Sequence, residues 1–302
     1  YEHYMLKEIM EQPVLLEKTL KPLVTDLSQL PDLTNYEEIH IVACGSAIYA
    51  GMIGKTLLEE YANIKVTCEV ASEYRYKKVF YNEKTLVILI SQSGETADTI
   101  AAMRKAKYNG VDTLAIVNVK TSTIARESKK QIYIEAGPEI AVATTKAYLL
   151  QVAILALLSY KATKDKNGAS IDLEKEIEML PRLVKEIIDR RENYLEIAKS
   201  IYNNNDIFFI GRKMDYAISL EGSLKLKEIS YIHSEAYQAG ELKHGTISLI
   251  EKGTPVIAIV TDKTVREKTI SNIEEVKSRG AKIIAISNSS LPSYDFNVSV
   301  PK

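Results

Sequence analysis

The residues best suited to proton chemistry lie in the second half of the chain. Glu221, Lys225 and Glu228 are spaced so that a helix would place all three on one face. A stretch dense in ionisable residues follows at 233–245; we predict that it is a loop, and it includes His244. A carboxylate can take a carbon-bound proton while an amine and an imidazole move protons among oxygens. The same spacing also fits an ordinary solvated ion-pair pattern, and the residues alone leave both interpretations open.

A second candidate site is the sequence SQSGET at 91–96, where a buried strand is predicted to end and a helix to begin. The start of a helix offers unpaired N–H groups and the positive end of its dipole to an anion. Gly94 permits a tight turn, and three hydroxyls can donate to phosphate oxygens. The segment has no lysine and matches no nucleotide-binding glycine motif, so the pattern favours a single small phosphate. An ordinary Ser/Thr helix cap is the alternative.

Two further segments are expected to approach this loop, namely ACGSAIYAG (43–51) and VATTKAY (142–148). Ligands in open α/β sheets bind beyond the carboxyl ends of the strands, so polar residues in these positions should converge. Ser46 offers a hydroxyl just after a strand, and Thr144 lies at the start of a long helix. Lys146 is either a surface cation or an ion-pair partner for a neighbour.

The elements that position these residues alternate between short runs rich in β-branched residues and amphipathic stretches. This alternation is typical of βαβ units with a parallel sheet. Strands are predicted at 39–45, 65–71, 85–91, 112–119, 131–136, 206–211, 255–261, 282–288 and 296–300. Long helical segments are predicted at 143–160 and 173–202, with a polar boundary loop at 161–170. The predicted fold class is therefore α/β with doubly wound parallel sheets.

A weak internal repeat indicates two copies of one domain. The strand that ends at Ser91 matches one that ends at Thr261, and the next strand of each half repeats the same offset. We predict two tandem domains, 1–165 with the phosphate loop and 166–302 with the ionisable segment 220–245. The sequence TDKT, which begins at Thr261, contains no glycine, so we expect one phosphate site per chain.

Composition excludes several classes of protein. The 302 residues contain 39 Lys plus Arg and 40 Asp plus Glu, so the net charge of -1 does not recruit nucleic acid or an anionic membrane. No apolar run reaches the roughly 18 residues of a membrane span. Two cysteines, and four histidines without ligand spacing, argue against disulfides and a metal site and favour a reducing, cytoplasmic setting. The chain begins at Tyr1 without Met, which indicates a piece of a longer protein.

Five motifs along the chain carry a resemblance to a known family. They are YEHYMLKEIMEQP, ACGSAIYAG, SQSGETADT, VATTKAY and EGSLKLKEISYIHSEAYQAGELKHG. In these motifs the sequence resembles the isomerase part of the glucosamine-6-phosphate synthases, the glutamine:fructose-6-phosphate aminotransferases. The resemblance implies two tandem sugar isomerase (SIS) domains, each a flavodoxin-like three-layer α/β/α structure, and no cofactor.

The resemblance also implies roles for individual residues. It assigns substrate binding to Ser46, Ser91, Gln92, Ser93, Thr96, Val142 and Thr144. It makes Glu228 the base that moves a proton between C1 and C2, and Lys225 an aid to proton transfer among the hydroxyl oxygens. His244 acts in ring opening and is supplied by the partner subunit, so a homodimer is implied.

The function implied by the resemblance is the synthesis of glucosamine 6-phosphate from fructose 6-phosphate. Ammonia comes from an amino-terminal glutaminase domain outside this sequence, and fructose, glucose and glucosamine 6-phosphate are the expected ligands. The Schiff-base lysine of the family lies in a carboxyl tail beyond Lys302, so we expect these residues alone to be weakly active or inactive. The alternatives are a stand-alone sugar-phosphate isomerase or deglycase, and a non-catalytic sugar-phosphate sensor.

Overall fold

The computed structural model describes residues 1–167 and 173–302. The chain forms two compact units, Tyr1–Lys185 and Glu186–Lys302. The first unit extends into the helix that contains Ile177, because that side chain packs into the core of the unit. The domain boundary expected from the sequence lies earlier in the chain and stays a prediction.

The first unit is built around a five-stranded parallel sheet. Its strands are β1 (Glu38–Ala43), β2 (Lys65–Val70), β3 (Thr85–Ser91), β4 (Asp112–Val117) and β5 (Lys130–Tyr133). Its helices are α1 (Tyr4–Thr25), α2 (Ser46–Glu60), α3 (Ala71–Tyr74), α4 (Ala97–Tyr108), α5 (Thr123–Glu127) and α6 (Lys146–Asn167). The strand order is β2-β1-β3-β4-β5, and every neighbouring pair is parallel.

The core of the first unit lies on both faces of this sheet. Alternate residues of a strand point to opposite faces. In β3, Ile88 and Ile90 pack with α1, α2 and α6, whereas Val87 and Leu89 pack with α3 and α4. All residues of β3 are buried. This two-sided burial explains the uninterrupted apolar sequence of the strand and produces three α/β/α layers.

The second unit repeats the same topology. Its strands are β6 (Asp206–Gly211), β7 (His233–Gln238), β8 (Pro255–Val260), β9 (Lys282–Ser287) and β10 (Phe296–Ser299). The remaining helices are α7 (Leu173–Asp189), in which the division between the units falls, and α8 (Glu192–Ile201), α9 (Met214–Ser230) and α10 (Arg266–Ser278). The order is β7-β6-β8-β9-β10, again all parallel. The shared strand order supports the duplication that the sequence repeat predicts.

The structure corrects the loop predicted at 233–245. Residues His233–Gln238 form the edge strand β7. This strand pairs with β6, and the pairing begins with His233 opposite Asp206. Ser234 is the one buried residue of β7. An edge strand with so little burial can carry polar side chains, so HSEAYQ lacks the apolar run by which the other strands were recognised.

The predicted boundary loop at 161–170 is wrong in its first part. Helix α6 continues to Asn167, and the last three residues of the predicted loop lie outside the described part of the chain. The helical segment predicted at 173–202 is two helices, α7 and α8, with a break at 190–191. Among the described residues, no helix has both the length and the apolar character needed to cross a membrane.

Candidate functional site

The loop between β3 and α4 is organised by its own hydroxyl groups. The Ser91 hydroxyl accepts a hydrogen bond of 3.0 Å from the N–H of Gly94, and it lies 3.2 Å from the hydroxyl of Thr96. Gly94 has a φ of +67°, and a Cβ at this position would lie 2.1 Å from Ser122 Oγ. Glycine is therefore required both for the left-handed backbone and for the close approach of the neighbouring segment.

A cavity of about 180 Å³ opens beside this loop. It is lined by Cys44, Ser46, Ala47, Ile90, Ser91, Gln92, Ser93, Thr96, Thr144 and Gln151. These include all but one of the residues predicted to bind substrate. The exception is Val142, whose side chain is 91% exposed and does not line the cavity. Gln151 was not predicted from the sequence.

The electrostatic character of the cavity comes from helix ends and neutral polar groups. Among the described residues, none with a charged side chain lines it. Ser46 is the first residue of α2, Thr96 is the cap residue of α4, and Thr144 lies two residues before the first residue of α6. The starts of α2 and α4 offer N–H groups and the positive end of a dipole, whereas the N–H groups of Thr145 and Ala147 at the start of α6 donate to Glu139. Two helix starts and several hydroxyls at one cavity suit a small anion.

The segment that carries Thr144 is anchored by two carboxylates. Glu139 accepts hydrogen bonds from the hydroxyl of Thr144 at 2.5 Å and from the backbone N–H of Thr145 at 2.9 Å. Glu8 of α1 is buried, and its Oε1 accepts a hydrogen bond of 2.6 Å from the N–H of Ile140. The amino-terminal helix therefore helps to hold this edge of the cavity in place.

Lys146 is an ion-pair partner and not a surface cation. Its side chain is 3% exposed, and its Nζ lies 2.7 Å from Oε2 of Glu11. The hydrogen bond from Lys146 lowers the pKa of the Glu11 carboxyl. Because Glu11 neutralises the charge of Lys146, this residue adds no net positive charge near the cavity.

In the second unit, α9 carries the residues predicted to move protons. Lys225 Nζ lies 2.5 Å from Oε2 of Glu228 and 3.4 Å from Oε1 of Glu221. The three side chains share one face of the helix, as their spacing predicts. The side chain of Glu228 is 28% exposed and that of Glu221 is 8% exposed. Glu228 is therefore the more accessible of the two carboxylates.

His244 lies in an exposed turn after β7. Its backbone N–H donates a hydrogen bond of 2.9 Å to the carbonyl of Glu241. The other histidine of the predicted loop, His233, is on β7 with its Nδ1 2.7 Å from Oδ1 of Asp206. The ionisable residues of this stretch are therefore divided between a strand and a turn.

The second unit has a filled counterpart of the cavity at the end of β8. Asp215, in the first turn of α9, is 1% exposed. Its carboxylate accepts hydrogen bonds from the N–H of Thr261 at 2.8 Å, from the Thr261 hydroxyl at 2.5 Å and from the N–H of Asp262 at 3.3 Å. Strand β8 holds the same place in its sheet as β3, so a carboxylate of the chain lies where the first unit has its cavity. Asp215 was not predicted from the sequence; the available signal was an aspartate soon after a strand that ends in glycine.

Comparison with known proteins agrees with this duplicated architecture. The sequence model of the SIS domain family matches residues 32–160 and 200–294, one range in each sheet-containing unit. The fold and the paired matches define a protein with two SIS domains. The chain is 48% identical over 298 residues to the isomerizing glutamine–fructose-6-phosphate aminotransferase of Caldanaerobacter subterraneus subsp. tengcongensis. That match covers 94% of this chain and 49% of the relative, so the chain spans about half the length of that protein.

Solved structures refine this placement. The C-terminal domain of glucosamine-fructose-6-phosphate aminotransferase from Francisella tularensis has a TM-score of 0.93 at 36% identity, covering 100% of this chain and 89% of that one. The chain therefore belongs to the SIS domain family and, within it, to the group of these aminotransferase C-terminal domains. Glucosamine-6-phosphate deaminase from Thermotoga maritima has a TM-score of 0.78 at 23% identity, covering 99% of this chain and 88% of that one. This second likeness shows a shared fold.

Proposed function

We propose that the cavity beside β3 binds the phosphate group of a hexose 6-phosphate. The observation that carries this proposal is the convergence of hydroxyls and the starts of α2 and α4 on one cavity, which no charged side chain of the described residues lines. A phosphate dianion matches both the donors and the dipoles of such a site. The names of the relatives support fructose 6-phosphate as one ligand, with glucose 6-phosphate and glucosamine 6-phosphate as related ones.

In this proposal the chain is the isomerase portion of an aminotransferase that makes glucosamine 6-phosphate. Glu228 takes the proton that moves between C1 and C2, and Lys225, in contact with it, moves protons among the hydroxyl oxygens. Val142 and Thr144 lie toward the sugar. A positioned carboxylate and groups that stabilise the oxygens are sufficient for this proton transfer.

The proposal includes a homodimer and a glutaminase domain. His244 is exposed in its turn, which is compatible with ring opening in the site of a partner subunit. The curated relatives are about twice as long and are named for glutamine, and a similar solved structure is called a C-terminal domain. Both facts support an amino-terminal domain that supplies ammonia. The proposal places the protein in the reducing cytoplasm, where free cysteines such as Cys44 and Cys68 are usual.

Calorimetric titration with glucose, fructose and glucosamine 6-phosphate tests the binding proposal. Ser93→Ala removes a cavity hydroxyl and should weaken binding of all three ligands by about tenfold, the effect of a hydrogen bond to a charged group. Ser278→Ala, on the exposed side of α10, is the matched control and should leave binding unchanged. Equal affinities of Ser93→Ala and wild type would contradict the proposal.

Glu228→Gln separates catalysis from binding. In the full-length enzyme, which includes the carboxyl tail, the variant should bind glucose 6-phosphate with wild-type affinity but exchange the C2 hydrogen with D₂O about 100-fold more slowly than the wild type, since it lacks the base. Glu235→Gln on β7 is the control for loss of a carboxylate elsewhere in the unit. Loss of binding in Glu228→Gln, or an unchanged rate of exchange, would show that Glu228 is not the base.

A further inference from the structure

A polar residue interrupts the apolar stripe of α6. Ala147, Leu150, Ile154 and Leu155 of this helix are buried in the core of the first unit. Gln151 lies among them and is itself only 2% exposed. Apolar residues at this spacing normally form a continuous core-facing stripe, so glutamine is an unexpected residue at this position.

The Gln151 side chain is also incompletely paired. Its Oε1 is buried and has no hydrogen-bond partner among the described residues. A buried polar atom without a partner destabilises a fold, and such an atom in a native structure calls for an explanation. Gln151 lines the cavity together with Ser91 and Thr96, so its terminal amide is the part of this buried side chain that a bound ligand can reach.

Ser159 provides an internal comparison on the same helix. Its hydroxyl is likewise buried without a hydrogen-bond partner among the described residues, and its side chain is 1% exposed. Ser159 does not line the cavity. The two residues share their burial and their helix and differ in access to the cavity.

We propose that the amide of Gln151 hydrogen-bonds directly to the phosphate group held in this cavity. This inference rests on the proposed function and adds a residue to its binding site. A phosphate dianion offers only acceptors, and no cation from the described part of the chain lines the cavity, so a carboxamide N–H is a useful donor. The oxygen and nitrogen of an amide exchange places by rotation about the terminal bond, so the side chain can present its NH₂ group to the ligand.

Gln151→Met tests this role with a side chain of similar size and no hydrogen-bonding group. Affinity for inorganic phosphate and for glucose 6-phosphate should both fall about tenfold, as for loss of one hydrogen bond to a charged group. The thermal midpoint should stay the same or rise, because an unpaired buried polar atom is removed. Ser159→Ala should have the same effect on the thermal midpoint and no effect on either affinity.

Gln151→Glu gives an independent test with nearly unchanged shape. A carboxylate at this position repels a phosphate dianion, so binding should weaken more than in Gln151→Met and depend on pH. Wild-type affinity for inorganic phosphate in either folded variant would overturn the inference. If the wild-type chain bound neither ligand, the proposed function itself would fail, which is a different result from a variant that binds as the wild type does.

Discussion

The carboxylate of Asp215 accepts a hydrogen bond of 2.8 Å from the backbone N–H of Thr261 at the end of β8. The same place in the first unit, after β3, opens on the cavity lined by Ser91 and Thr96. The two units thus share a strand order but differ at the carboxyl ends of the equivalent strands β3 and β8. A cavity follows β3, whereas a carboxylate of the chain lies at the end of β8. In the second unit the carboxylate of Asp215 accepts hydrogen bonds at this strand end, and we propose a bound phosphate at the equivalent place in the first unit.

Asp215→Ala should destabilise the protein strongly. The change removes three hydrogen bonds to a buried carboxylate and leaves backbone N–H groups unpaired, so the free energy of unfolding should fall by about 3 kcal/mol. Urea unfolding of the chain measures the change. Glu267→Ala, at an 81% exposed side chain in the first turn of α10, should cost less than about 1 kcal/mol. Similar losses in both variants would contradict the structural role of Asp215.

Gly94→Ala should abolish ligand binding in addition to lowering stability. A Cβ at Gly94 meets Ser122 and strains a left-handed backbone, so the loop must move. Gly110→Ala is a matched control, because Gly110 has a φ of +72° but nothing within 4 Å of the added Cβ. Gly110→Ala should cost about 1 kcal/mol of stability and retain glucose 6-phosphate binding. Retained binding in Gly94→Ala would contradict the assigned loop.

Glu11→Ala should destabilise the first unit because it leaves Lys146 buried without its partner. Breaking a buried pair from one side costs about 3 kcal/mol or more. Lys7 also lies near Glu11, at 3.1 Å, but its side chain is 50% exposed. Lys7→Ala should therefore cost at most about 1 kcal/mol in the same unfolding measurement. Equal effects of the two variants would show that the contact with Lys146 contributes little.

His40 should make stability fall as the pH is lowered. It is buried in β1 with Nδ1 2.8 Å from the Tyr74 hydroxyl, and burial lowers the pKa of its imidazole. The unfolded chain therefore takes up a proton near pH 6.5 while the folded chain does not, so stability is lost below that pH.

His40→Gln provides the comparison. It removes the titrating group and should flatten the pH dependence of the free energy of unfolding between pH 5 and about 7.5. The wild type should lose up to about 1.4 kcal/mol more for each pH unit in the part of this range below the unfolded pKa. Identical profiles for the two proteins would contradict the assignment.

Sequence patterns predicted the central strands well, because a strand that is buried on both faces of a sheet has a continuous apolar sequence. β3 begins at Thr85 and ends at Ser91, as predicted. β7 escaped prediction because an edge strand can be polar. Gln151 and Asp215 escaped for another reason, since their importance depends on which helix start or cavity they reach in the folded chain. The position of Asp215 after a strand that ends in glycine is a weak signal, and sequence spacing alone does not identify the tertiary neighbourhood of either residue.

A crystal structure of the chain with glucose 6-phosphate tests the phosphate assignment most directly. We expect the phosphate to lie in the cavity beside β3, within hydrogen-bonding distance of the Ser91–Thr96 loop and of the Gln151 amide. Phosphate bound at another place, with this cavity empty at saturating ligand, would contradict the central claim.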